Sequence, residues 1–445
     1  MSSGSSDALR NTGIPEGDAQ PVAFGAAVRF WAWLGCVSFG GPAGQIAIMH
    51  RELVEKRRWI SEERFLHALN FCMLLPGPEA QQLATYIGWL KHGTRGGIAA
   101  GALFVLPGFV LIVAISVLYA LYRSSPPIEG VLFGLKAAVL AVVVEAVLRI
   151  GKRALKDPLS WWVALLAFVG IFAFQVPFPA IVLGAALLGF FVHRRGGTDA
   201  TPSTADGPAR SSSPLRIAVV CGLLWLLPIL ALWATLGAAH VLTVESVFFS
   251  KMAVVTFGGA YAVLAYVAQE AVIHYQWISA NDMLQGLALA ETTPGPLILV
   301  LTFVGFLAAF GNAAPLDALT AGLLGAFVTT WVTFVPCFLW IFLGAPHIER
   351  LRHQKALSSA LAMVTAAVVG VILNLAVWFS LHALFRDVAT WRSGVLAVPV
   401  LDPASVDVMA ALIAMAAAIA LLRFKASMLL VLGVCAVAGL LIRVL

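Results

Sequence analysis

Charged residues are scarce in this chain of 445 residues. Asp, Glu, Lys and Arg together make up 11% of it, whereas hydrophobic residues make up 61%. Soluble domains carry about 25% charged residues, and the mean hydropathy of +0.94 is far above what such domains show. The composition therefore excludes a soluble globular protein and predicts an all-α polytopic membrane protein.

Cysteine is also scarce, and no two cysteines have the spacing of metal ligands. The five residues are Cys36, Cys72, Cys221, Cys337 and Cys435. Four of the histidines are dispersed over different segments, at His67, His240, His274 and His382. We therefore expect no metal, no haem and no other cofactor, and the chain is not expected to be an enzyme.

A nucleotide-binding motif of the form GxxxxGK[ST] is absent, so the sequence gives no sign of an ATP-driven pump. The net charge of +6 is modest. In a membrane protein it reflects basic cytoplasmic loops, and no nucleic-acid partner is expected. Residues 1–20 are polar and lack the basic-then-apolar pattern of a cleavable signal peptide, so we expect a disordered tail there.

Thirteen apolar segments are long enough for most or all of a membrane crossing. Six precede a segment rich in Gly, Ser, Thr and Pro, residues 193–216, which is predicted to be a flexible cytoplasmic linker. One segment, 217–239, follows it, and six more come after. The other twelve are 22–49, 65–90, 97–122, 131–149, 158–175, 177–192, 245–267, 283–310, 316–343, 356–383, 407–422 and 426–444.

The pattern of six, linker, one and six indicates a duplication. Phe39-Gly40-Gly41, Trp59-Ile60-Ser61 and Pro76-Gly77-Pro78 each recur 218 positions later, and 14 of the 40 positions from 39 to 78 are identical. Pro107 and Pro336, which follow the two PGP motifs at a larger separation of 229 positions, also fit the repeated order. We expect a first repeat at 21–192, a connecting helix at 217–239 and a second repeat at 240–445.

The two repeats are predicted to have opposite orientations. The connector 50–64 carries five Lys and Arg residues, whereas its counterpart 268–282 carries none. Since basic loops stay in the cytoplasm, the first connector is expected inside and the second outside, with the N-terminus inside. Inverted repeats of this kind are typical of secondary transporters.

Gly-Gly and Pro-Gly-Pro are poor helix formers, yet both lie in apolar segments. Proline lacks an amide donor, glycine permits a turn, and an irregular backbone at membrane depth survives only inside protein or beside a polar cavity. Four re-entrant hairpins and nine crossings would place every basic cluster inside. Thirteen simple spans remain the alternative.

Broken helices expose free amide N–H groups at their N-termini, which bind anions. Neutral hydrogen-bonding groups near the breaks strengthen this interpretation, although glycines in membrane helices also serve close packing. The candidate substrate-binding residues are Gly40, Gly41, Gln45, Pro76, Gly77, Pro78, Gln81, Gln82, Thr85, Gly258, Gly259, Thr292, Thr293, Pro294, Gly295 and Pro296. Candidates for added charge or ion coupling are Arg29, Lys251, Glu79 and Glu291. For Arg29 and Lys251 a lipid-headgroup contact is equally expected, and Glu79 could be a helix cap.

The two stretches from FGG to PGP, at 39–78 and 257–296, resemble the two domains of the chromate ion transporter family in its long form. The resemblance runs from about residue 22 to the end of the chain. It implies efflux of chromate across the inner membrane, with chromate resistance, and sulfate as a related oxyanion. Ala260 stands where the first copy has Pro42, so the two copies differ at one motif position.

The membrane potential favours export of an anion. A dianion that moves outward gains roughly 4.6 kcal/mol per 100 mV of membrane potential, twice the value for one charge. The sequence therefore favours a secondary exporter of chromate driven by the membrane potential, an ion gradient or both. An importer or exchanger of sulfate or another oxyanion on the same scaffold is the alternative. A passive channel fits the paired breaks poorly, and a homodimer is left open.

Overall fold

The computed structural model describes residues 22–196, 214–255, 257, 259–345, 355–394 and 396–444. The predicted tail 1–20 and the middle of the predicted linker lie outside these ranges, as does Gly258. Helix α7 extends to Gly196 and α8 begins at Pro214, so both helices reach into the predicted linker segment.

The described part of the chain is almost entirely helical. Its first half contains α1 (Phe24–Val37), α2 (Gly41–His50), α3 (Glu62–Cys72), α4 (Glu79–Tyr122), α5 (Pro126–Ala154), α6 (Pro158–Phe174) and α7 (Phe178–Gly196). Helix α8 (Pro214–Leu236) follows. The second half contains α9 (Val241–Val255), α10 (Ala260–Ala268), α11 (Ala280–Thr292), α12 (Val300–Gly311), α13 (Ala318–Gly344), α14 (Lys355–Leu384), α15 (Val408–Leu422) and α16 (Met428–Val444).

Short irregular turns recur at matching places. A π-helical turn follows α2 at Arg51–Lys56, and another follows α10 at Gln269–His274, 218 positions later. In both copies the next helix is capped by the serine of the Trp-Ile-Ser motif, Ser61 for α3 and Ser279 for α11. The identical residues of the two copies therefore form the same local structure.

Within the described ranges, five helices are long and apolar enough to cross a membrane: α4, α5, α8, α13 and residues Ser358–Leu384 of α14. Apart from α4, which follows the first PGP motif, the helices on either side of the FGG and PGP motifs are shorter. Helices α1, α2, α3, α9, α10, α11 and α12 have between 9 and 15 residues each. A crossing needs about 20 residues, so each of these is long enough for only part of the hydrocarbon core.

Helix α4 doubles back on itself. His92 and Gly93 have non-helical backbone angles, with φ of +63° at Gly93, and divide α4 into arms at 79–91 and 94–122. Gly88 on one arm packs against Gly96 on the other. The sequence predicted one segment at 65–90, but the structure divides it at PGP and joins its second part to the next segment through this tight turn.

One β-hairpin departs from the predicted all-α fold. Strands β1 (Val388–Ser393) and β2 (Leu396–Leu401) pair antiparallel, with Val388 opposite Leu401 and Ser393 opposite Leu396. Gly394, at φ of +58°, supplies the turn, and the strands are rich in Val, Thr and Trp. These residues favour strands, and the segment between α14 and α15 is polar enough to lie outside the apolar runs.

The two halves interlock in the core. Helix α5 of the first half packs mainly against α16 and α15 of the second half. Helix α14 of the second half packs against α7 and α6 of the first half. Glycines allow the close approach, as where Gly130 and Gly134 meet Gly439. The breaks of the two halves are thereby held face to face.

A candidate binding site at four helix breaks

All four predicted breaks interrupt helices. At the FGG motifs, α1 ends at Val37 and α2 begins at Gly41, while α9 ends at Val255 and α10 begins at Ala260. At the PGP motifs, α3 ends at Cys72 and α4 begins at Glu79. Helix α11 ends at Thr292, and a 3-10 turn at Leu297–Leu299 leads into α12.

The glycines of the breaks adopt backbone conformations that other residues rarely adopt. Gly77 has φ of +123° and Gly295 has φ of +96°. A side chain at such an angle costs roughly 1–2 kcal/mol. The flanking prolines lack an amide donor, so the chain here cannot continue as a helix.

The FGG break of the first half joins the PGP break of the second. The amide of Gly295 donates a hydrogen bond of 2.9 Å to the carbonyl oxygen of Ser38. The side-chain amide of Gln45, which is 1% exposed, donates to the carbonyl oxygen of Gly295 and also reaches the Ser38 oxygen at 3.4 Å.

The reciprocal pair of breaks also meets. A Cβ atom on Gly259, in the second FGG, would lie 3.2 Å from a carboxylate oxygen of Glu79, which follows the first PGP. A Cβ atom on Gly41 would lie 4.0 Å from the hydroxyl of Tyr261 in α10. The four breaks therefore converge in one place, which we call the junction.

Each PGP turn also packs against the proline position of the long helix from the other half. A Cβ atom on Gly295 would lie 3.4 Å from the Cα atom of Gly108, which follows Pro107 in α4. A Cβ atom on Gly77 would lie 2.9 Å from the Sγ atom of Cys337, which follows Pro336 in α13. A side chain at either glycine would therefore have to displace its neighbours.

Two carboxyl groups lie at the junction. Glu291 is 2% exposed, and its Oε1 atom accepts a hydrogen bond of 2.5 Å from the hydroxyl of Tyr261. Its Oε2 atom has no hydrogen-bond partner within the described ranges. Glu79 is partly buried at the first turn of α4. Both predicted coupling carboxyls therefore lie beside the breaks.

The structure separates the predicted polar residues of α4. Gln82 stays with the first PGP turn, where its side-chain amide donates a 2.7 Å hydrogen bond to the Pro76 carbonyl. Gln81 and Thr85 bond to each other at 3.1 Å and lie between the two arms of α4, against Gly101. These two residues therefore face the interior of the α4 hairpin.

The remaining candidates lie at the edge of the junction or away from it. The hydroxyls of Thr292 and Thr293 bond back to carbonyls of their own helix, Leu289 and Ala290. Arg29 is exposed, and its side chain reaches the Gly25 carbonyl at 3.4 Å. Lys251 is exposed on α9. The exposed positions of Arg29 and Lys251 favour the interpretation that these side chains contact lipid headgroups.

Four residues of the junction were not named as candidates from the sequence: Ser38, Tyr261, Gly108 and Cys337. Gly108 and Cys337 each follow a proline of the repeated pattern, which was a usable signal. Arg149 of α5 is a fifth residue missed as a candidate. It lies near enough to act electrostatically on Glu291 and Tyr261, and it pairs with Glu145 at 3.3 Å.

The junction can offer hydrogen-bond donors to an anion. The first turns of α2, α4 and α10 begin there, and the opening N–H groups of a helix lack partners inside the helix. Side-chain amides and a phenol lie beside them. The arrangement in this structure is closed, since Gln45, Gln82 and Glu291 are each at most 2% exposed.

A cavity of about 210 Å³ lies elsewhere, beneath the β-hairpin. Its polar lining residues include Gln175, Gln269, Asn374, His382 and Arg392. Helix α10 connects the two places, because it begins at the junction and its end, with the following π-helical turn, lines the cavity.

Known proteins resemble the chain over most of its length. The chain is 34% identical over 365 residues to a chromate transport protein of Pseudomonas aeruginosa, which covers 81% of this chain and 80% of that protein. It is 28% identical over 347 residues to a chromate transport protein of Cupriavidus metallidurans, 78% of this chain and 80% of that one. A probable chromate transport protein of Synechococcus elongatus is 27% identical over 372 residues, 83% of this chain and 87% of the relative.

No solved structure matches the chain. The family described as chromate transporter matches it twice, at residues 26–190 and 246–440. The two matched regions contain the two FGG and two PGP breaks and leave α8 between them. The chain belongs to the chromate transporter family.

Proposed function

We propose that this protein exports chromate from the cytoplasm as a secondary transporter, with the junction as the binding site. The names of its relatives support chromate as the substrate. The observation that carries the proposal is the convergence of four helix breaks, contributed by both halves, in the protein interior.

The chemistry of the junction suits a tetrahedral oxyanion. Helix N-termini present several N–H groups to one point and add a partial positive charge, which stabilises negative charge without a fixed cation. Gln45, Gln82 and Tyr261 add neutral groups. Glu79 and Glu291 would repel a dianion when ionised, so binding requires them to move aside or take up a proton.

Two inverted repeats explain how such a site is made. We infer that each FGG and each PGP segment is a re-entrant hairpin, because the helices on either side, with only the first arm of α4 (79–91) counted after the first PGP, are too short to cross. The charges of the connectors support opposite orientations. Glu52 lies within 4 Å of Arg51, Lys56 and Arg57. Its counterpart Glu270 has no Lys or Arg in the connector 268–282.

The closed junction is an occluded state in this proposal. The contacts that close it join opposite halves: Gly295 to Ser38, Gln45 to Gly295, and Glu79 to Gly259. Movement of one half against the other would separate these partners and open the site to one side of the membrane. The N-terminus and the Arg51–Lys56 turn then lie in the cytoplasm, at the inner membrane.

Membrane potential supplies the driving force. Export of a dianion gains roughly 4.6 kcal/mol per 100 mV, which favours outward accumulation by more than about a thousandfold. If Glu79 or Glu291 instead carries a proton together with the anion, the transport follows the pH gradient as well. Transport driven by voltage alone and transport coupled to a proton therefore predict different chromate fluxes when the membrane potential is clamped.

The test is flux of radiolabelled chromate in vesicles of known orientation, with an imposed potential. We expect efflux to rise as the cytoplasmic side becomes more negative and to fall when a potassium ionophore clamps the potential at zero. Sulfate in excess serves as competitor. No saturable chromate flux in either direction would overturn the proposal, and flux that ignores both voltage and pH would point to exchange with another anion.

A further inference from the structure

Glu245 of α9 is a buried carboxyl group away from the junction. Its side chain is 0% exposed, and neither carboxylate oxygen has a hydrogen-bond partner among the residues with described positions. The hydroxyl oxygen of Thr329 in α13, also 0% exposed, is likewise without a partner there. The junction uses neither residue.

Glu245 lies where three helices cross. Helix α9 packs against α13, α12 and α8. A Cβ atom on Gly325 of α13 would lie 2.9 Å from the Oε1 atom of Glu245, and Gly325 in turn meets Gly305 of α12. Thr329 lies one turn further along α13, and its Cβ atom is 2.9 Å from the Cβ position of Gly305.

The first half makes a similar close crossing with no carboxyl group or hydroxyl among the nearest atoms, and the neighbouring His92 donates a 2.7 Å hydrogen bond to the Val22 carbonyl. Gly88 meets Gly96 there, and the Cβ atom of Ala100 lies 2.6 Å from the Cβ position of Gly88. Ala27, 218 positions before Glu245, is 4% exposed in α1. Because Ala100 and a histidine with its own partner fill this crossing in the first half, packing alone does not require an unpartnered carboxyl group and hydroxyl in the second half.

Charged groups that could neutralise Glu245 are distant or already engaged. Helix α12 contains no titratable residue, and the only one in α13 is Cys337, twelve residues beyond Gly325. Asp317, the cap of α13, is exposed and accepts from the Thr320 amide. On α9, Lys251 is exposed on a later turn. His240, five residues before Glu245, accepts from the Leu242 amide at 3.2 Å through Nδ1, while its buried Nε2 has no partner among the described residues and is not bonded to Glu245.

Helix α8 brings no closer charge. Its titratable residues, Arg216 and Cys221, are in its first third, whereas the end of α8 leads directly to α9. The ring of Tyr275 contacts the ring of Phe248 on α9, with the centroids 5.7 Å apart. The Tyr275 side chain is exposed. An isolated carboxylate in such surroundings is very costly, so a buried carboxyl without a partner binds a proton.

We propose that Glu245 is a proton-binding site whose proton exchanges during the transport cycle. The proposal rests on the export function proposed above and adds the coupling ion to it. Ten residues, or about 15 Å of helix, separate Glu245 from the end of α9 at the second FGG break. A proton at Glu245 therefore does not occupy the oxyanion site. It changes the packing of α9 on α13, and α9 carries the change to the break.

The first test is infrared spectroscopy of the purified protein in lipid. A protonated Glu245 side chain, shielded from water, gives a carboxyl C=O stretching band, and the frequency of this band shifts in D2O. We expect this band at neutral pH in the unmodified protein and its loss in Glu245→Gln. Glu129→Gln is the surface control and should retain the band, because the Glu129 carboxylate that it removes pairs with Arg443. A spectrum of Glu245→Gln identical to that of the unmodified protein would overturn the proposal.

The second test separates coupling from binding. With the unmodified protein, a pH gradient of one unit should change the chromate accumulation ratio by about tenfold for each coupled proton. In Glu245→Gln we expect this dependence to disappear, while exchange of labelled for unlabelled chromate continues within about twofold. Glu245→Ala, which copies the residue of the first half, should behave in the same way.

The outcomes distinguish the two proposals. If the unmodified protein gives no chromate flux, the export function is wrong. If it transports chromate and Glu245→Gln follows the pH gradient unchanged, the Glu245 proposal is wrong. A flux that responds to sodium rather than to pH, and loses that response in Glu245→Gln, would replace the proton by a metal cation and also overturn it.

Discussion

The backbone amide of Gly295 donates a 2.9 Å hydrogen bond to the carbonyl oxygen of Ser38. These residues belong to different halves of the chain, and each lies beside a helix break. The free backbone groups of one half are thus satisfied by the other, as a low-dielectric interior requires. Neither half can complete the junction alone.

Gln45 should be essential to the junction. Gln45→Met keeps the length of the side chain and removes the amide that donates to the Gly295 carbonyl. A buried acceptor left without its donor costs about 1–3 kcal/mol, so we expect at least a tenfold loss of chromate transport. Assays of chromate flux, with equal amounts of each variant in the membrane, measure this loss. Gln175→Met, at an exposed position, is the control. Equal flux from both variants would show that the amide is not needed.

Leucine at either PGP glycine should abolish transport while the protein still inserts. Gly77→Leu and Gly295→Leu each force a side chain into a positive-φ turn that already touches the opposite half. The strain of roughly 1–2 kcal/mol adds to the steric clash and should displace the break. Gly184→Leu, at a position with nothing within 4 Å, is the matched control. Normal flux in both PGP variants would make the breaks packing features only.

Tyr261 and Glu291 should act as a pair. Their hydrogen bond of 2.5 Å predicts that Tyr261→Phe and Glu291→Gln are non-additive, with a coupling energy of about 0.5–3 kcal/mol in the initial rate of chromate flux. Tyr266→Phe, on the same helix, should combine additively with Glu291→Gln. Additive effects in both cycles would mean that the hydrogen bond does not contribute to transport.

The two Trp-Ile-Ser connectors should lie on opposite sides of the membrane. In a cysteine-free background, an impermeant thiol reagent added outside should modify Tyr275→Cys and spare Glu55→Cys until the membrane is opened. Both parent side chains are exposed, 37% for Tyr275 and 59% for Glu55, so labelling reports the side of the membrane. Modification of both from one side would contradict the inverted arrangement.

The stability of the connector 50–64 should depend on pH through Glu52. The hydrogen bond from Lys56, aided by the nearby charges of Arg51 and Arg57, holds the pKa of Glu52 below its usual value. A depressed folded-state pKa stabilises the fold above the unfolded pKa, and this stabilisation is lost as pH falls through the folded pKa.

Glu52→Gln should therefore lower the melting temperature at pH 7, on the order of 1 °C because the basic partners are exposed. The difference from the unmodified protein should shrink as pH falls below the ordinary Glu pKa of about 4.3 and vanish below the lowered folded-state pKa. Thermal unfolding in detergent at several pH values measures it. Glu55→Gln, at an exposed position, is the control, and a difference that persists or grows in acid would contradict the assignment.

Much of the architecture was predictable because local chemistry dictates it. Apolar length forces membrane helices, and Gly and Pro clustered in the FGG and PGP motifs interrupt them, so the four breaks follow from residues such as Gly77 and Pro294 without any tertiary information. Single prolines such as Pro107 and Pro336 lie inside helices. The 218-residue offset likewise predicted that the same elements recur. The β-hairpin was missed because Val388–Leu401 lies between apolar runs and its strand signal is short.

The sequence alone determined where the FGG and PGP motifs interrupt helices, that these motifs recur 218 positions later, and on which connector the basic residues lie, since each depends on residues near one another in the chain. Only the tertiary structure decided which break meets which, because contacts such as Ser38 with Gly295 depend on how α1, α11 and the proline turns pack across the halves. It also decided that Gln81 and Thr85 face the interior of the α4 hairpin, and that Glu245 is left without a partner. Burial and pairing are properties of the packed core, and no local pattern encodes them.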